Sequence, residues 1–236
     1  MEEIVFKAIG TTISLAIDHD QAPVVLAEAR RRLLDYEKSF FANNSDSLLM
    51  QVNAKAGISP VQVDPDIFQL IATGKDYFLE QDVQSGMINL GGNVLLVGAH
   101  LENPGGFWRV GVQDPDQSRN HLRGIIQFQD GSVVTSGIYE RHFEYQGKTY
   151  HHIFDSQTGY PVDNDLAGLT IVSKSSLVGE VYTSLYFNLT SQDLLAKLSA
   201  TSGVEAVIIT RDGDVVLTEG IKPFYTPVTE VESPYY

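Results

Sequence analysis

One predicted helix carries a carboxylate and a hydroxyl at a spacing that suits a divalent cation. Residues 175–189 form this helix, and within it Glu180 and Ser184 lie four positions apart. Side chains four apart share one face of a helix, one turn from each other. Both offer the hard oxygen ligands that Mg²⁺ prefers, and Mg²⁺ often completes its shell with substrate phosphates. A solvated glutamate beside a small packing serine is the alternative interpretation of such an isolated pair.

A second candidate lies in residues 135–141, which run TSGIYER. Small hydroxyl residues beside Gly137 offer O–H and backbone N–H donors to an anion, and Arg141 can add a positive charge. An ordinary strand end with a surface Glu–Arg pair explains the same residues equally well.

The segment 89–93, NLGGN, places two glycines inside a strand pattern. Glycine weakens a strand interior, because it has no side chain to pack and loses much backbone entropy on folding. Gly91 and Gly92 therefore indicate either a simple β-bulge or a position where a ligand meets the backbone.

Residues 150–161, YHHIFDSQTGYP, contain two adjacent histidines. If they lie in a strand, His151 and His152 point to opposite faces, because side chains alternate along a strand. The two cannot then bind one metal ion side by side. We expect at most one of them to be functional and the other to be a surface or packing residue.

The elements that must position these residues follow from hydrophobic periodicity. Apolar spacing predicts helices at 23–41, 47–54, 65–80, 175–189 and 191–200, the third starting at Asp64-Pro65 and the last capped by Ser191. Alternation predicts strands at 4–17, 87–92, 93–98, 107–112, 125–129, 132–136, 142–145, 148–154, 168–173 and within 204–218. The tail from Pro223 is expected to be irregular.

Three dipeptides predict hairpins between successive strands, namely Asp130-Gly131, Gln146-Gly147 and Asp212-Gly213. Because the strands are mostly hairpin-linked and mixed with helices, we predict an α+β fold with antiparallel-rich sheets and packed helices. No repeat or linker composition marks a boundary, so we expect a single domain over residues 1–236.

Composition and missing motifs exclude several classes of protein. The 236 residues carry 16 Lys and Arg against 30 Asp and Glu, a net charge of −14, which argues against a nucleic-acid binder. The lack of cysteine excludes disulfides, thiolate metal sites and cysteine nucleophiles. No P-loop, GxGxxG, GxSxG or HExxH pattern is present.

The first residues, MEEIVFKAIG, have acids where a signal peptide needs basic residues, so we expect a cytoplasmic protein without a membrane anchor.

Taken together and in order, these segments resemble the ApbE-type FAD:protein FMN transferases. The resemblance is carried by the glycine-threonine strand at 9–12, INLGGN and WxVGxQDP at 88–93 and 108–115, TSGxYER at 135–141, and HIxDxxTGxP at 152–161. It runs through nearly the whole chain and is densest from 88 to 190. It implies an ApbE-like (T-fold-like) architecture.

The resemblance also implies an activity. Such enzymes split the pyrophosphate of FAD, join its FMN half to a Thr or Ser hydroxyl of an acceptor protein and release AMP. It implies that Mg²⁺ is held by Glu180 and Ser184, where the family has Asp and, four residues later, Thr. It makes His152 the catalytic candidate. A divalent cation is also expected on electrostatic grounds, since an acidic protein repels a pyrophosphate.

Residues that contact FAD are likewise implied by matching motif positions. They are Ile9, Gly10, Thr11, Ser136, Gly137, Tyr139, Arg141, His152, Ile153 and Asp155. Ile9 stands where the family usually has Met and is expected to line the flavin pocket.

Because of two departures from the family pattern, two alternative functions are also considered. Glu180 is one methylene longer than Asp, so its helix must lie slightly further from the metal. Family members also carry a further segment, with flavin contacts and a backbone Mg²⁺ ligand, where QDVQSG here leads directly into MINLGG. The alternatives are a non-catalytic flavin-binding relative and an FAD pyrophosphatase that passes FMN to water.

Overall fold

The computed structural model describes residues 1–8, 11–40, 78, 81–118, 121–140, 142–155 and 157–228. The chain divides into two compact units, Met1–Gly91 and Gly92–Tyr236. The helices predicted at 47–54 and 65–80 lie outside the described residues, except that Phe78 is helical.

Among its described residues, the first unit has three antiparallel strands and a helix of 19 residues. Its elements are β1 (Glu2–Ala8), β2 (Thr11–Asp18), α1 (Ala22–Phe40) and β3 (Ser85–Leu90). Strand β2 pairs with both β1 and β3. Along β2, Ile13, Leu15 and Ile17 are almost completely buried, which is the period of two expected when one face of a strand packs on a core. Helix α1 packs against β1 and β2.

The single strand predicted at 4–17 is wrong, because the chain reverses within it. Ala8 of β1 lies opposite Thr11 of β2, and the two strands are antiparallel. Residues opposite each other in an antiparallel pair share a face, so Ala8 and Thr11, which are three positions apart, lie on the same face and the alternation changes phase between the two strands. The prediction of one continuous strand overlooked this change, since the less exposed positions are even-numbered in β1 and the buried ones Ile13, Leu15 and Ile17 are odd-numbered in β2.

Most of the described strands lie in the second unit. Its strands are β4 (Asn93–Val97), β5 (Trp108–Gln113), β6 (Leu122–Phe128), β7 (Gly131–Gly137), β8 (His142–Tyr145), β9 (Lys148–His151), β10 (Leu166–Ser173), β11 (Val204–Thr210), β12 (Val215–Leu217) and β13 (Tyr225–Pro227). Its helices are α2 (Ser176–Tyr186) and α3 (Ser191–Ser199). Short 3₁₀ turns lie at Pro104–Gly106 and Lys222–Phe224.

Within this unit the main sheet has the strand order β4-β7-β10-β11-β12, and every pairing is antiparallel. A second sheet has the order β13-β6-β5, and β8 and β9 form a separate two-stranded ribbon. All eight residues of β10 are buried. Helix α2 packs on β7 and β10, and α3 packs on β11. The predicted α+β class with antiparallel sheets is confirmed.

The hairpin predicted at Asp130-Gly131 is wrong. Strand β6 pairs with β5 and β13, whereas β7 pairs with β4 and β10, so the two strands on either side of this dipeptide belong to different sheets. Gly131 has a φ of 133°, and a Cβ there would lie 2.6 Å from the carbonyl oxygen of Ser173. The dipeptide therefore marks a corner between sheets, where the chain passes close to β10.

The other two hairpins are confirmed. Tyr145 pairs with Lys148 across Gln146-Gly147, whose φ angles of 51° and 74° are those of a type I′ turn. Strand β11 returns as β12 past Asp212-Gly213, with Ile209 opposite Val215.

Several predicted boundaries differ from the structure. Thr190, not Ser191, caps α3, because its side chain accepts a hydrogen bond from the Asp193 N–H. Strand β9 ends at His151 instead of extending to 154. The tail from Pro223 is not wholly irregular, since Tyr225–Pro227 pairs with β6.

Candidate functional site

Glu180 is held in place by a residue far away in the sequence. It lies on α2, is partly buried, and its Oε1 accepts a hydrogen bond of 2.7 Å from Asn93 Nδ2 at the start of β4. The Oδ1 of Asn93 in turn accepts a 2.8 Å bond from the Ser176 hydroxyl, one turn earlier on α2. Asn93 thus joins the sheet to the helix at two points and fixes the orientation of the carboxylate.

Close packing beneath this carboxylate depends on Gly179. A Cβ at that position would lie 2.4 Å from Cγ2 and 2.9 Å from Cβ of Val134 on β7. These distances are well inside the ordinary carbon–carbon contact of about 3.5–4.0 Å. The absence of a side chain therefore lets α2 approach the sheet closely enough for Glu180 to reach Asn93.

The predicted metal ligand Ser184 lies one turn after Glu180 on the same helix and is exposed. Its neighbour Thr183 is completely buried and donates its hydroxyl proton to the Glu180 carbonyl, so Thr183 serves the packing of α2. Within the described residues no group of three or more His, Cys, Asp or Glu side chains could hold a metal ion. One carboxylate and one hydroxyl nevertheless fit Mg²⁺, which usually keeps several waters and takes substrate phosphates as further ligands.

The end of β7 brings together the residues of the TSGxYER motif. Here the Thr135 hydroxyl lies 2.9 Å from that of Thr170, and the N–H groups of Thr135 and Ile138 donate to the carbonyls of Gly92 and Ala167. These groups are engaged within the protein, which leaves the predicted contacts at Ser136, Gly137 and Tyr139 as the candidates for a ligand. Arg141 lies outside the described residues.

Tyr139 folds back over Gly137. A Cβ at Gly137 would lie 2.2 Å from Cε1 of the Tyr139 ring, so the ring can occupy this position only because residue 137 is glycine. Burial raises the pKa of the Tyr139 phenol above its usual range, and the nearby carboxylates Glu140 and Asp114 raise it further. The phenol therefore stays protonated at neutral pH and is available as a hydrogen-bond donor.

Of the two adjacent histidines, one is buried at the end of a strand and the other is exposed after it, so strand alternation does not apply to the pair. His151, the last residue of β9, is only 5% exposed, and its Nε2 lies 3.1 Å from the Val162 carbonyl, to which it donates. His152 follows the strand and is exposed. Burial lowers the pKa of His151, because it disfavours the charged imidazolium, and the positive charge of Arg211 lowers it further.

The HIxDxxTGxP motif continues into a tightly bonded loop. The Asp155 carboxylate accepts the Gln157 N–H at 2.8 Å, and the Asp155 carbonyl accepts the Gly159 N–H at the same distance. Ile153 packs against the apolar core formed by β10, α3, β11 and Phe187. Asp155 and Ile153 therefore have structural contacts in addition to their predicted role toward FAD.

A cavity of about 810 Å³ lies beside this motif. It is lined by Thr149, Tyr150 and His151 of β9, by loop residues between Asp155 and Asp163, and by Asn188 and Arg211. Its size falls within the range of about 300–1,000 Å³ that is usual for ligand pockets. Among the predicted site residues that the structure describes, Asp155 is the one that lines it.

In the first unit, the predicted flavin-contacting residues Ile9 and Gly10 lie outside the described residues, and Thr11 is the first residue of β2.

The Gly91-Gly92 pair has φ angles of 64° and 104°, both in the left-handed region that favours glycine. Strand β3 ends before the pair and β4 begins after it, so these glycines form a turn, not a bulge inside one strand.

Sequence reasoning missed Asn93 and Ser176 as parts of the site. The final Asn of INLGGN was visible as a polar residue in an apolar strand pattern, but its partner lies 87 residues away.

Among the described helices, none is long and apolar enough to cross a membrane.

Comparison with known proteins establishes the family. The sequence model of the ApbE family matches residues 9–82 and 74–208 of this chain. The FAD:protein FMN transferase of Klebsiella pneumoniae (strain 342) is 36% identical over 154 residues, which cover 65% of this chain and 46% of the relative. That of Treponema pallidum (strain Nichols) is 31% identical over 192 residues, 72% of this chain and 53% of the relative. The chain spans about half the length of these curated relatives.

Solved structures agree on the fold. The ApbE protein of Thermotoga maritima matches with a TM-score of 0.84 at 16% identity, covering 94% of this chain and 98% of that one. The apo form of the Pseudomonas stutzeri flavinyl transferase ApbE matches with a TM-score of 0.69 at 18% identity, covering 94% and 96%. The chain belongs to the ApbE family, and the predicted ApbE-like architecture is confirmed.

Proposed function

We propose that this chain transfers the FMN half of FAD to a Ser or Thr hydroxyl of an acceptor protein, with Mg²⁺ as cofactor, and releases AMP. The observation that carries the proposal is the Asn93–Glu180 hydrogen bond, which holds a single carboxylate in a fixed orientation above the sheet. Relatives named FAD:protein FMN transferase support the same reaction. We further propose a cytoplasmic location and a single functional domain over residues 1–236.

In this reaction the acceptor hydroxyl oxygen attacks the phosphorus on the FMN side of the pyrophosphate. A new O–P bond forms, the bond from that phosphorus to the bridging oxygen breaks, and AMP leaves with the bridging oxygen. The proton of the hydroxyl passes to a base. No net oxidation or reduction occurs, so the protein must supply only charge neutralisation, positioning and a proton acceptor.

Glu180 and Ser184 are the proposed ligands of Mg²⁺, which when bound neutralises pyrophosphate charge. Asn93 donates to Glu180 Oε1, which keeps that carboxylate from rotating. The other carboxylate oxygen, Oε2, does not take part in this hydrogen bond. This support matters because Mg²⁺ tolerates little error in ligand distance. A residue that orients a ligand typically affects metal affinity by about 10–100-fold.

His152 is the proposed base. It is exposed directly after β9, whereas His151 is buried and committed to the Val162 carbonyl. An accessible imidazole can take the proton of an acceptor hydroxyl, a role worth about 10²–10⁴ in rate. Ser136, Gly137 and Tyr139 at the end of β7, with Ile9, Gly10, Thr11, Arg141, Ile153 and Asp155, are the proposed contacts to FAD.

The test is product analysis with FAD and Mg²⁺. The protein is incubated with peptides that each carry one Ser or Thr, AMP is measured by chromatography, and peptide mass is measured for addition of FMN. We expect both products, and a loss of at least about 10² in rate for His152→Ala and for Glu180→Ala. His121→Ala and Glu219→Ala serve as matched controls and should retain the rate.

Other outcomes identify the alternatives. AMP and free FMN without modified peptide would indicate an FAD pyrophosphatase. FAD binding without AMP would indicate a non-catalytic flavin-binding relative. Normal transfer by Glu180→Ala and His152→Ala would contradict the residue assignments.

A further inference from the structure

The cavity beside β9 runs along the edge of a strand. Thr149, Tyr150 and His151 line it in succession. Successive side chains of a strand point to opposite faces, so a cavity on one face would contact only alternate residues. Contact with three in a row places the cavity beside the backbone itself. We call this cavity the β9 groove.

The register of the ribbon shows which backbone groups face the groove. Tyr145 and Lys148 close a two-residue turn, so they form a hydrogen-bonded pair, and pairs then alternate along an antiparallel ladder. Thr149, opposite Glu144, and His151, opposite His142, are therefore at non-hydrogen-bonded positions. Their N–H and C=O groups point away from β8. In the described part of the chain, β9 has β8 as its only strand partner.

The groove is built in advance of any ligand. Several lining residues are already bonded to one another, since His151 Nε2 donates to the Val162 carbonyl at 3.1 Å and Arg211 Nη2 donates to the same carbonyl at 3.4 Å. The loop that lines the groove is fixed by backbone bonds from Asp155 N–H to the Tyr160 carbonyl and from Val162 N–H to the Ile153 carbonyl. Binding there requires little reorganisation, which lowers its entropic cost.

Charge along the groove favours a basic occupant. Its described charged lining is Asp155, Asp163 and Arg211. Arg211 is already bonded to Asp163 and to two backbone carbonyls, and the Asp163 side chain is 86% exposed. The lining therefore has a net negative charge, in a chain whose own net charge is −14.

We propose that the β9 groove binds an extended, basic segment of the acceptor protein, which adds to the β8–β9 ribbon as a third strand. An exposed strand edge pairs readily with an extended peptide, which gains main-chain hydrogen bonds from the edge and specificity from side-chain contacts. The choice of occupant rests on the proposed function, because His152 follows the last residue of β9 directly. The segment delivers its hydroxyl to the end of the strand where that histidine lies.

The test uses two proline variants on opposite edges of the ribbon. Thr149→Pro removes the outward N–H that faces the groove, because proline has no N–H. Glu144→Pro removes the equivalent outward N–H on the other edge, directly across the ribbon. Both substitutions lie at non-hydrogen-bonded positions, so both leave the ladder between β8 and β9 intact. Glu144→Pro is thus the matched control.

The probe is a fluorescent, capped peptide of alternating valine and lysine around a central threonine, with a glutamate peptide of the same pattern for comparison. Binding is followed by fluorescence anisotropy at 0.15 M salt, without FAD. We expect the lysine peptide to bind, the glutamate peptide to bind at least about tenfold more weakly, and Thr149→Pro to lose at least about tenfold for the lysine peptide. Glu144→Pro is expected to bind like the unaltered protein.

A second measurement on the unaltered protein does not depend on any variant. Amide hydrogen exchange of Thr149 and His151 should slow when the lysine peptide is bound, while that of Glu144 should not. Equal effects of the two proline variants, no binding of the lysine peptide, or unchanged exchange at Thr149 and His151 would each overturn the proposal. A dimer that Thr149→Pro dissociates would overturn it in favour of a second copy of this chain.

Failure of the groove and failure of the proposed function are distinguishable. If the lysine peptide binds as expected but FAD yields no AMP, the groove stands as a peptide site and the transferase assignment fails. If AMP and modified peptides form but Thr149→Pro leaves the KM for peptide unchanged, the transferase assignment stands and the groove proposal fails.

Discussion

Replacing Gly179 with alanine tests how closely α2 must approach the sheet. The new Cβ would lie 2.4 Å from Val134 Cγ2, so one of the two must move by about 1 Å to reach an ordinary contact. Val134 is 1% exposed, is paired with residues of β4 and β10, and has a stiff, β-branched side chain. The helix must therefore move, which stretches the 2.7 Å bond from Asn93 to Glu180 beyond hydrogen-bonding distance.

The expected loss in the free energy of unfolding combines three effects. Overpacking costs about 1–3 kcal/mol, and losing a hydrogen bond to a charged group costs about 1.5–3 kcal/mol. Alanine returns about 1 kcal/mol through its better helix propensity. We expect a net loss of about 1.5–5 kcal/mol, or a decrease in Tm of roughly 3–20 °C for a chain of this size.

The assay is thermal and urea unfolding of Gly179→Ala, Val134→Ala and the double variant. Removing the Val134 methyl groups relieves the clash, so the double variant should lose at least about 1 kcal/mol less than the two single losses added together. Val181→Ala, at a 45% exposed position of the same helix, is the control and should change stability by less than about 0.5 kcal/mol. A Gly179→Ala protein as stable as the original, or strictly additive losses, would refute this account of the packing.

Two further predictions concern residues around the site. Asn93→Ala should weaken Mg²⁺-dependent FAD binding by about 10–100-fold, because Glu180 loses the donor that orients it. Isothermal titration calorimetry measures this affinity. An unchanged affinity would show that Asn93 has only a structural role. His151 binds a proton less readily in the folded protein than in the unfolded chain, because its pKa is lowered in the folded state. The free energy of unfolding should therefore fall as pH drops below about 6.5, by at most about 1.4 kcal/mol per pH unit, until the folded-state pKa is reached. His151→Gln, whose amide can still donate to the Val162 carbonyl, should flatten that dependence in urea unfolding between pH 5 and 7.5; identical slopes in the two proteins would contradict the buried, neutral state of His151.

Local chemistry accounts for the elements that the sequence predicted well. The Gln146-Gly147 turn formed because its two residues accept positive φ, which a type I′ hairpin needs whatever surrounds it. Helix α1 and strand β10 were predicted from hydrophobic periodicity, which is a property of a segment alone.

Features that depend on partners elsewhere in the chain were not predictable in this way. Asp130-Gly131 has the composition of a hairpin, but β6 and β7 each find better partners in different sheets. The pairing of Glu180 with Asn93 and the contact of Gly179 with Val134 arise only when α2 lies on β7. Residue spacing and the resemblance to a family both made Glu180 a candidate, whereas the residues that hold it became apparent only in the tertiary structure.

The proposed Mg²⁺ site built on Glu180 should enable FAD binding. The most direct measurement follows flavin fluorescence as FAD is titrated into the protein with Mg²⁺, then after addition of a chelator, for the unaltered protein, Glu180→Ala and the control Glu219→Ala. We predict binding that the chelator weakens in the unaltered protein and in Glu219→Ala, and weaker binding without metal dependence in Glu180→Ala. Equal, chelator-insensitive binding by all three proteins, or chelator-sensitive binding that persists in Glu180→Ala, would contradict it.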